Sequence, residues 1–356
     1  MRHRASANQV YEKIERLCRG SIDGQTLRYE VIRFLRQALP FDAWCWPLVD
    51  PDTLISFEGL GESPFQAGDQ RHLFRLDYQM QEKSSIFLLS QGREYLSRLS
   101  SRTGGDFTQS RLWEEVYQPH GLGDEMRLAL TTDGTCWGML LLYRARAARW
   151  FSNEEAALLR RLMRPLATRL RQTLISPSRK VLIPSTGPGV VVLGPDLVPV
   201  TMTPLAQQWL AQVYPDWRQE QRLLFPTVSA LVARLEAREQ TSLPDRWVPS
   251  ARVRSLMGDW FVLQVERLAP SPTPGLIALT IHPALPAQML PLFLQVFALT
   301  RRERELAAFV FQGRSTAEIA AELHISSYTV QEHMRAIFTK VGVGSRLELI
   351  ARLHLS

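Results

Sequence analysis

Apolar residues recur at helical spacing at Val10, Ile14 and Leu17, and again at Val31, Phe34, Leu35 and Ala38, where Pro40 stops the pattern. A strand is expected from Phe41 to Val49, a turn over Asp50–Asp52 and a second strand from Thr53 to Phe57. Further on, Met126–Thr132 and Cys136–Tyr143 flank Asp133 and Gly134, which reads as a β-hairpin. Ser152 followed by Glu155 makes a capping box for a long helix, with Leu158, Leu159, Leu162, Leu166 and Leu170 along one stripe. Pro165 within it predicts a kink. In the middle of the chain, Gly189–Leu193 and Leu197–Val200 read as strands and Thr203–Val213 as a helix. Ala251–Leu256, Trp260–Glu266 and Leu276–Ile281 read as three more strands.

Punctuation divides this pattern. Ser176–Lys180 and Ser185–Gly189 form a polar break rich in Pro and Gly, and Ala269–Gly275 is a long turn. The expected parts are residues 1–175, 185–283 and 287–356. Leu268–Thr300 carries no Asp, Glu, Lys or Arg, which raises the question of a membrane span. Pro270, Pro272, Pro274, Pro283, Pro286 and Pro291 break it, so a strand, a turn and a buried helix fit better. The first residues are polar and show no apolar export signal, and the expectation is a soluble, cytoplasmic protein without membrane partners.

Composition narrows the class without naming a partner. A chain of 356 residues, 45% hydrophobic and 22% charged, is globular and long enough for more than one core. The formal charge is +7, and all but Lys13, Lys83, Lys180 and Lys340 of the 42 basic residues are arginine. A basic chain suits nucleic acid or an acidic surface but does not choose between them. Cys18, Cys45 and Cys136 are too scattered for a disulfide framework or a zinc site.

The last fifty-odd residues are the most informative. Thr300 with Glu303, Ser315 with Glu318 and Ser345 with Glu348 are three capping boxes, and Gly313 and Gly342 are helix stops. Ser326 or Ser327 caps a further helix, running to Val341. Four short helices follow, and the central two, joined by His324 and Ile325, make a helix-turn-helix. Ile319, Ala320, Leu323, Ile325, Val330, Ile337 and Val341 can share one small core, leaving Gln331, Glu332, Arg335 and Thr339 on the outer face. In such a unit the second helix enters the DNA major groove. There Gln331 can read an adenine edge, Glu332 a cytosine amino group and Arg335 a guanine, unless this face is simply solvated. Ser327, Thr329 and the free N–H groups at the helix start suit a phosphate.

Several groups of residues together resemble the LuxR/FixJ (GerE) helix-turn-helix family over about 296–355. They are Leu299, Thr300, Arg302, Glu303, Arg304 and Glu305; Gly313, Ser315, Glu318, Ile319 and Ala320; Ile325 and Ser326; Thr329, Val330 and His333; and Lys340, Val341, Gly342 and Val343. The resemblance implies a transcription factor that binds double-stranded DNA as a homodimer, using the helix over 327–341 to read a dyad-like operator and the last helix for dimer contacts. The family commonly has Lys where this chain has Gln331. Ser315, Thr316, Ser327, Tyr328, Thr329, His333, Lys340 and Arg346 are the expected positioning contacts to phosphate. With little net charge at this surface, dimerisation is expected to supply much of the affinity.

By element order, the first part resembles a GAF domain and the middle part a PAS domain, giving a multidomain chain: an α+β GAF-like domain, an α+β PAS-like domain and an all-α four-helix domain. Trp44, Trp46, Trp137 and Met139 either line a small-molecule pocket or pack a core, and Cys45 and Cys136 are either core residues or a redox pair. Arg144, Arg146, Arg149, Arg160, Arg161, Arg164, Arg169 and Arg171 read as a solvated face beside a leucine stripe that pairs with a second subunit. His72, His120, His282, His324 and His333 lack metal-ligand spacing, so no metal and no cofactor are expected beyond an unidentified effector. Nucleotide-binding, nucleophile-elbow and zinc-protease motifs are lacking, and no enzyme is expected. The competing reading is a sigma-like or adaptor protein whose helix-turn-helix docks RNA polymerase.

Overall fold

A computed structural model describes residues 6–78, 85–92, 94–174, 187–217, 225–240, 248–255, 257–269 and 275–355. The polar breaks at 176–180 and 185–186, the Pro-rich turn at 270–274 and Leu256 lie outside the described residues. The chain divides into two compact units, one holding two β-sheets and ending at Pro283, the other made mainly of the helical stretch from Ala284 onward. Among the described residues no helix is long and apolar enough to cross a membrane.

The first unit opens with α1 (Ala7–Arg19) and α2 (Gly24–Ala38), capped by Ser6 and Asp23. β1 (Ala43–Val49), β2 (Ser56–Glu62), α3 (Ala67–Tyr78), α4 (Ile86–Gln91), β3 (Leu96–Arg98) and α5 (Leu99–Arg102) follow. Then come β4 (Leu122–Thr132), β5 (Thr135–Ala145) and α6 (Asn153–Thr173). The sheet is antiparallel in the order β2-β1-β5-β4-β3. Asp133 and Gly134, both at positive φ, close the β4–β5 hairpin. α6 continues through Pro165, and its leucine stripe is buried against α1 and β4. That stripe is spent inside the unit, so the expected pairing of it with a second subunit is corrected.

The expected arginine face is corrected in part as well. Arg144 is buried and donates to the carbonyls of Pro40, Arg149 and Trp150 and to Glu155. Arg169 donates to the Ile22 carbonyl, and Arg171 pairs with Asp133. Long side chains that can span two elements serve here as ties rather than as a solvated stripe.

A second sheet repeats the first topology. β6 (Gly189–Leu193), β7 (Pro199–Met202), α7 (Pro204–Val213), α8 (Pro226–Gln240), β8 (Ser250–Arg254), β9 (Trp260–Arg267) and β10 (Ile277–Pro283) give the order β7-β6-β10-β9-β8, again antiparallel. α8 is buried along most of its length because it packs on α3 and β2 as well as on β8 and β9. Thr227 donates to the Ser56 carbonyl at 2.7 Å, and Arg234 to the Thr53 carbonyl at 2.6 Å.

β2 starts at Ser56 rather than at Thr53, and the cause is local. The Asp50 carboxylate accepts from the Asp52 and Thr53 N–H groups, and Leu54 sits at φ 57°, so the chain turns through residues expected to be extended. Likewise Leu197 at φ 60° holds a turn that delays β7 to Pro199.

Asp50 also receives Arg252 of the second sheet through both its oxygens, at 2.7 and 2.6 Å, and both side chains are buried. Breaking one side of such a pair costs about 3–5 kcal/mol, because the other charge is left unpaired in a poor solvent. Arg252→Met should therefore destabilise the first unit by about this amount in urea unfolding, and Asp50→Asn combined with it should lose less than the two single losses summed. A loss within about 0.5 kcal/mol, the range of ordinary surface substitutions, would remove this pair from the account.

Candidate nucleic-acid interface and an apolar cavity

The second unit contains α9 (Pro286–Val296), α10 (Arg301–Phe311), α11 (Thr316–Glu322), α12 (Ser327–Val341) and α13 (Arg346–Leu355). Its helix starts are set by side chains. Thr300 and Ser315 form reciprocal capping boxes with Glu303 and Glu318, and Ser326 is the residue that caps α12, accepting from the Thr329 N–H at 3.0 Å. His324 at φ 53° makes the sharp step between α11 and α12, and Gly342 at φ 73° ends α12. Leu306, Val310, Ile319, Ala320, Val330, Met334, Ile337 and Leu349 are buried between the helices. Leu323 and Ile325, expected in that core, are half-buried.

With that core filled from one side, α12 leaves Ser327, Tyr328, Gln331, Glu332, Arg335 and Thr339 exposed on the other. Tyr328 is 71% exposed. The three expected base readers thus share one open face. Arg335 donates to Glu332 at 2.5 Å, one turn back, so the guanidinium is held along the helix by its own neighbour.

The expected phosphate contacts divide into two sets. Ser327, Tyr328 and the half-buried Thr329 sit in the first turn of α12, where N–H groups lack helical partners. Thr316, half-buried, is the first residue of α11, and Ser315 caps it. His333 is half-buried. Two others are occupied. Lys340 Nζ donates to both oxygens of Glu303 at 2.8 and 2.6 Å, and Arg346 donates to the Arg314 carbonyl. Lys340 therefore ties α12 to the start of α10, a role no local sequence signal announces across 37 residues.

Burial pushes the Glu303 carboxyl up, but the hydrogen bonds from Lys340 and from Thr300 outweigh it and hold the group below its usual value. A depressed carboxyl stabilises the folded state above its unfolded pKa, about 4.3, and that contribution is lost as pH falls through the folded value. Protection of the α10 and α12 amides from hydrogen exchange, taken relative to the intrinsic rate at each pH, should accordingly fall below about pH 4.3, and Lys340→Met should flatten that pH dependence. An unchanged profile in the variant would show that Lys340 does not hold Glu303.

The first unit contributes a different feature. A cavity of about 320 Å³ lies on the sheet face covered by α3, with the start of α8 and the loop after β1 in its wall. Met139 lines it. Trp44, Trp46 and Trp137 do not: they are buried elsewhere, Trp44 against Tyr29 of α2, and their indole N–H groups meet no acceptor among the described residues. Alternation explains most of this, since Cys45, Pro47 and Val49 line the cavity while Trp44 and Trp46 take the opposite phase. Trp137 has the same parity as Met139, but the β4–β5 register shifts between them, at Leu130/Thr131. Burial pushes the Cys45 thiol up to about 11 and the Cys136 thiol to about 12, so both stay protonated and unreactive at neutral pH. Behind the cavity, a buried Arg127 donates to Asp77 at 2.7 Å, Glu125 at 2.6 Å and the Tyr117 hydroxyl at 2.8 Å.

Comparison with known proteins bears on the second unit. Residues 298–353 match the GerE family profile, described as bacterial regulatory proteins, luxR family. The chain is 42% identical over 55 residues to the spore germination protein GerE of Bacillus subtilis, covering 15% of this chain and 74% of that protein. It is 47% identical over 51 residues to a putative HTH-type transcriptional regulator of Aeromonas salmonicida, 14% of this chain and 26% of that one. A monoamine regulon transcriptional regulator of Klebsiella aerogenes is 46% identical over 54 residues, 15% of this chain and 24% of its own length. The chain thus spans about a quarter of the length of these last two relatives. Among solved structures, Escherichia coli SdiA aligns over 97% of this chain and 94% of its own, at 11% identity and a TM-score of 0.34, which is too low to carry a statement about fold.

Proposed function

The chain belongs to the luxR family of bacterial regulatory proteins, and from that premise we propose that it is a sequence-specific DNA-binding transcriptional regulator and not an enzyme. The observation that carries the reading is the outer face of α12: Gln331, Glu332 and Arg335 exposed together on the second helix of a helix-turn-helix. Arg335 reads a guanine once it leaves Glu332, Gln331 an adenine and Glu332 a cytosine amino group. The first turns of α11 and α12, with Ser315, Thr316, Ser327, Tyr328 and Thr329, position the unit on phosphates, helped by His333. Lys340 and Arg346 join them only by exchanging their present partners.

The protein acts in the cytoplasm as a homodimer on a dyad-like operator, with half-sites set by the spacing of two α12 helices. The first sheet is read as a GAF-like and the second as a PAS-like sensory region, a reading supported by the order β2-β1-β5-β4-β3 and its repetition in the second sheet. A small molecule or partner favouring one dimer arrangement would shift operator affinity by population shift.

Selection of bound sites from random duplex DNA by the full-length protein tests this. The expected result is an enriched motif with two half-sites about one helical turn apart. Arg335→Ala should then weaken binding by about 1–3 kcal/mol and relax preference at one base pair. Equal loss on operator and random DNA would remove Arg335 from base reading. No enrichment with the full chain or with residues 290–356, together with a polymerase pull-down that persists without DNA, would favour docking to RNA polymerase instead.

A further inference from the structure

α12 carries two permanent cations, Arg335 and Lys340, and each is matched by a carboxylate of its own unit. Lys340 donates to Glu303 and ties α12 to α10. Arg335 donates to Glu332 at 2.5 Å, with the two side chains 71% and 46% exposed. Gln331, beside them on the open face, is uncharged. Among the described residues, the face that is to enter a groove walled by phosphates thus offers no unmatched cationic side chain of α12. A reader of that kind gains little from the counterion release that supplies most non-specific affinity.

The Arg335–Glu332 pair does little for the fold. An ion pair three residues apart on a wet helix surface contributes weakly, because water screens it and two long side chains must be held. The core of the unit is filled from the opposite side of α12, by Val330, Met334 and Ile337. What the pair does decide is where the guanidinium points before DNA arrives.

Held along the helix, Arg335 reaches a phosphate only by leaving Glu332 bare. A bare carboxylate among phosphates and base acceptors is repelled. One kind of site satisfies both ends of the opened pair. A guanine presents O6 and N7 to the arginine, and a cytosine presents its amino group to the carboxylate. Three residues along a helix rise about 4.5 Å. A base pair rises about 3.4 Å, so the two side chains meet bases no more than about one step apart.

We propose that Glu332 determines the specificity of this interface by withholding Arg335 from phosphates and releasing it only where a guanine and a cytosine lie within one base-pair step. The inference rests on reading α12 as the DNA-contacting helix, and its test separates the two. The full-length protein is titrated with random-sequence duplex DNA over a range of salt, as wild type, Glu332→Gln, Arg335→Met and the double variant. Glu332→Gln keeps the side-chain shape and frees the guanidinium. It should raise random-duplex affinity about two- to fivefold, the fold-change that matches an exposed ion pair. The log–log salt dependence should steepen by about 0.9, as one more phosphate is neutralised. On the sequence that the wild type enriches, the variant should bind no more tightly, so the ratio of specific to random affinity falls. In the Arg335→Met background the same substitution should change random-duplex affinity by less than about twofold, since no guanidinium remains to free. Glu12→Gln makes the same charge change on the exposed side of α1 and should leave affinity and salt dependence as they are. Unchanged random-duplex binding in Glu332→Gln, with the wild type still enriching a motif, would overturn the proposal and leave DNA reading standing. A full gain in the Arg335→Met background would show that Glu332 acts by its own charge and not through Arg335. Binding of no duplex by any of the proteins would remove both readings.

Discussion

The carboxylate of Asp50 organises the first unit. It closes its own loop by accepting two backbone N–H groups, and it receives Arg252 from the other sheet at 2.7 and 2.6 Å. The loop then determines where β2 can begin, puts Leu54 and Ser56 against the cavity and offers the Thr53 and Ser56 carbonyls to α8. A buried carboxylate persists only with its charge matched and its lone pairs engaged, so loop and inter-sheet contact are one arrangement.

The helical unit follows a different economy. Its folding information is almost entirely local: a capping box at Thr300, another at Ser315, a cap at Ser326 and a left-handed stop at Gly342. A few long-range ties join these local signals: Lys340 to Glu303 links the end of α12 to the cap of α10, Arg302 donates to the Leu323 carbonyl and Arg346 to the Arg314 carbonyl. Because the Glu303 side chain belongs both to the box and to the Lys340 ion pair, the cap and the packing of α12 on α10 support each other. Among the described residues, the outer face of α12 pairs only within its own helix, Arg335 with Glu332 and the Thr339 hydroxyl with the Arg335 carbonyl.

Much of this was legible along the chain. Caps, turn glycines and apolar spacing fixed the four C-terminal helices to within a residue or two, since each signal acts within one turn of helix. The β4–β5 hairpin was legible from Asp133 and Gly134 for the same reason. The start of β2 was not, because Leu54 gives no sign of a left-handed conformation that a loop aspartate and a distant arginine impose on it. Whether Trp44, Trp46 and Trp137 line a pocket or pack a core was not legible either, because a strand places neighbours on opposite faces and a register shift moves the phase again.

The sequence by itself determined α1, α2, the β4–β5 hairpin, α6, most strands of the second sheet and the C-terminal helices, the family of the last unit and the three side chains α12 presents, but not α3, α4, β3 or α8. Those properties depend on interactions within about four residues, or on which face of one helix is apolar. Tertiary structure alone decided that the α6 leucines are consumed internally, that Lys340 is occupied by Glu303 and that a largely apolar cavity opens beside Met139 rather than beside the tryptophans. Each of these joins residues tens to hundreds of positions apart, and no local pattern encodes which distant charge or surface a side chain will meet.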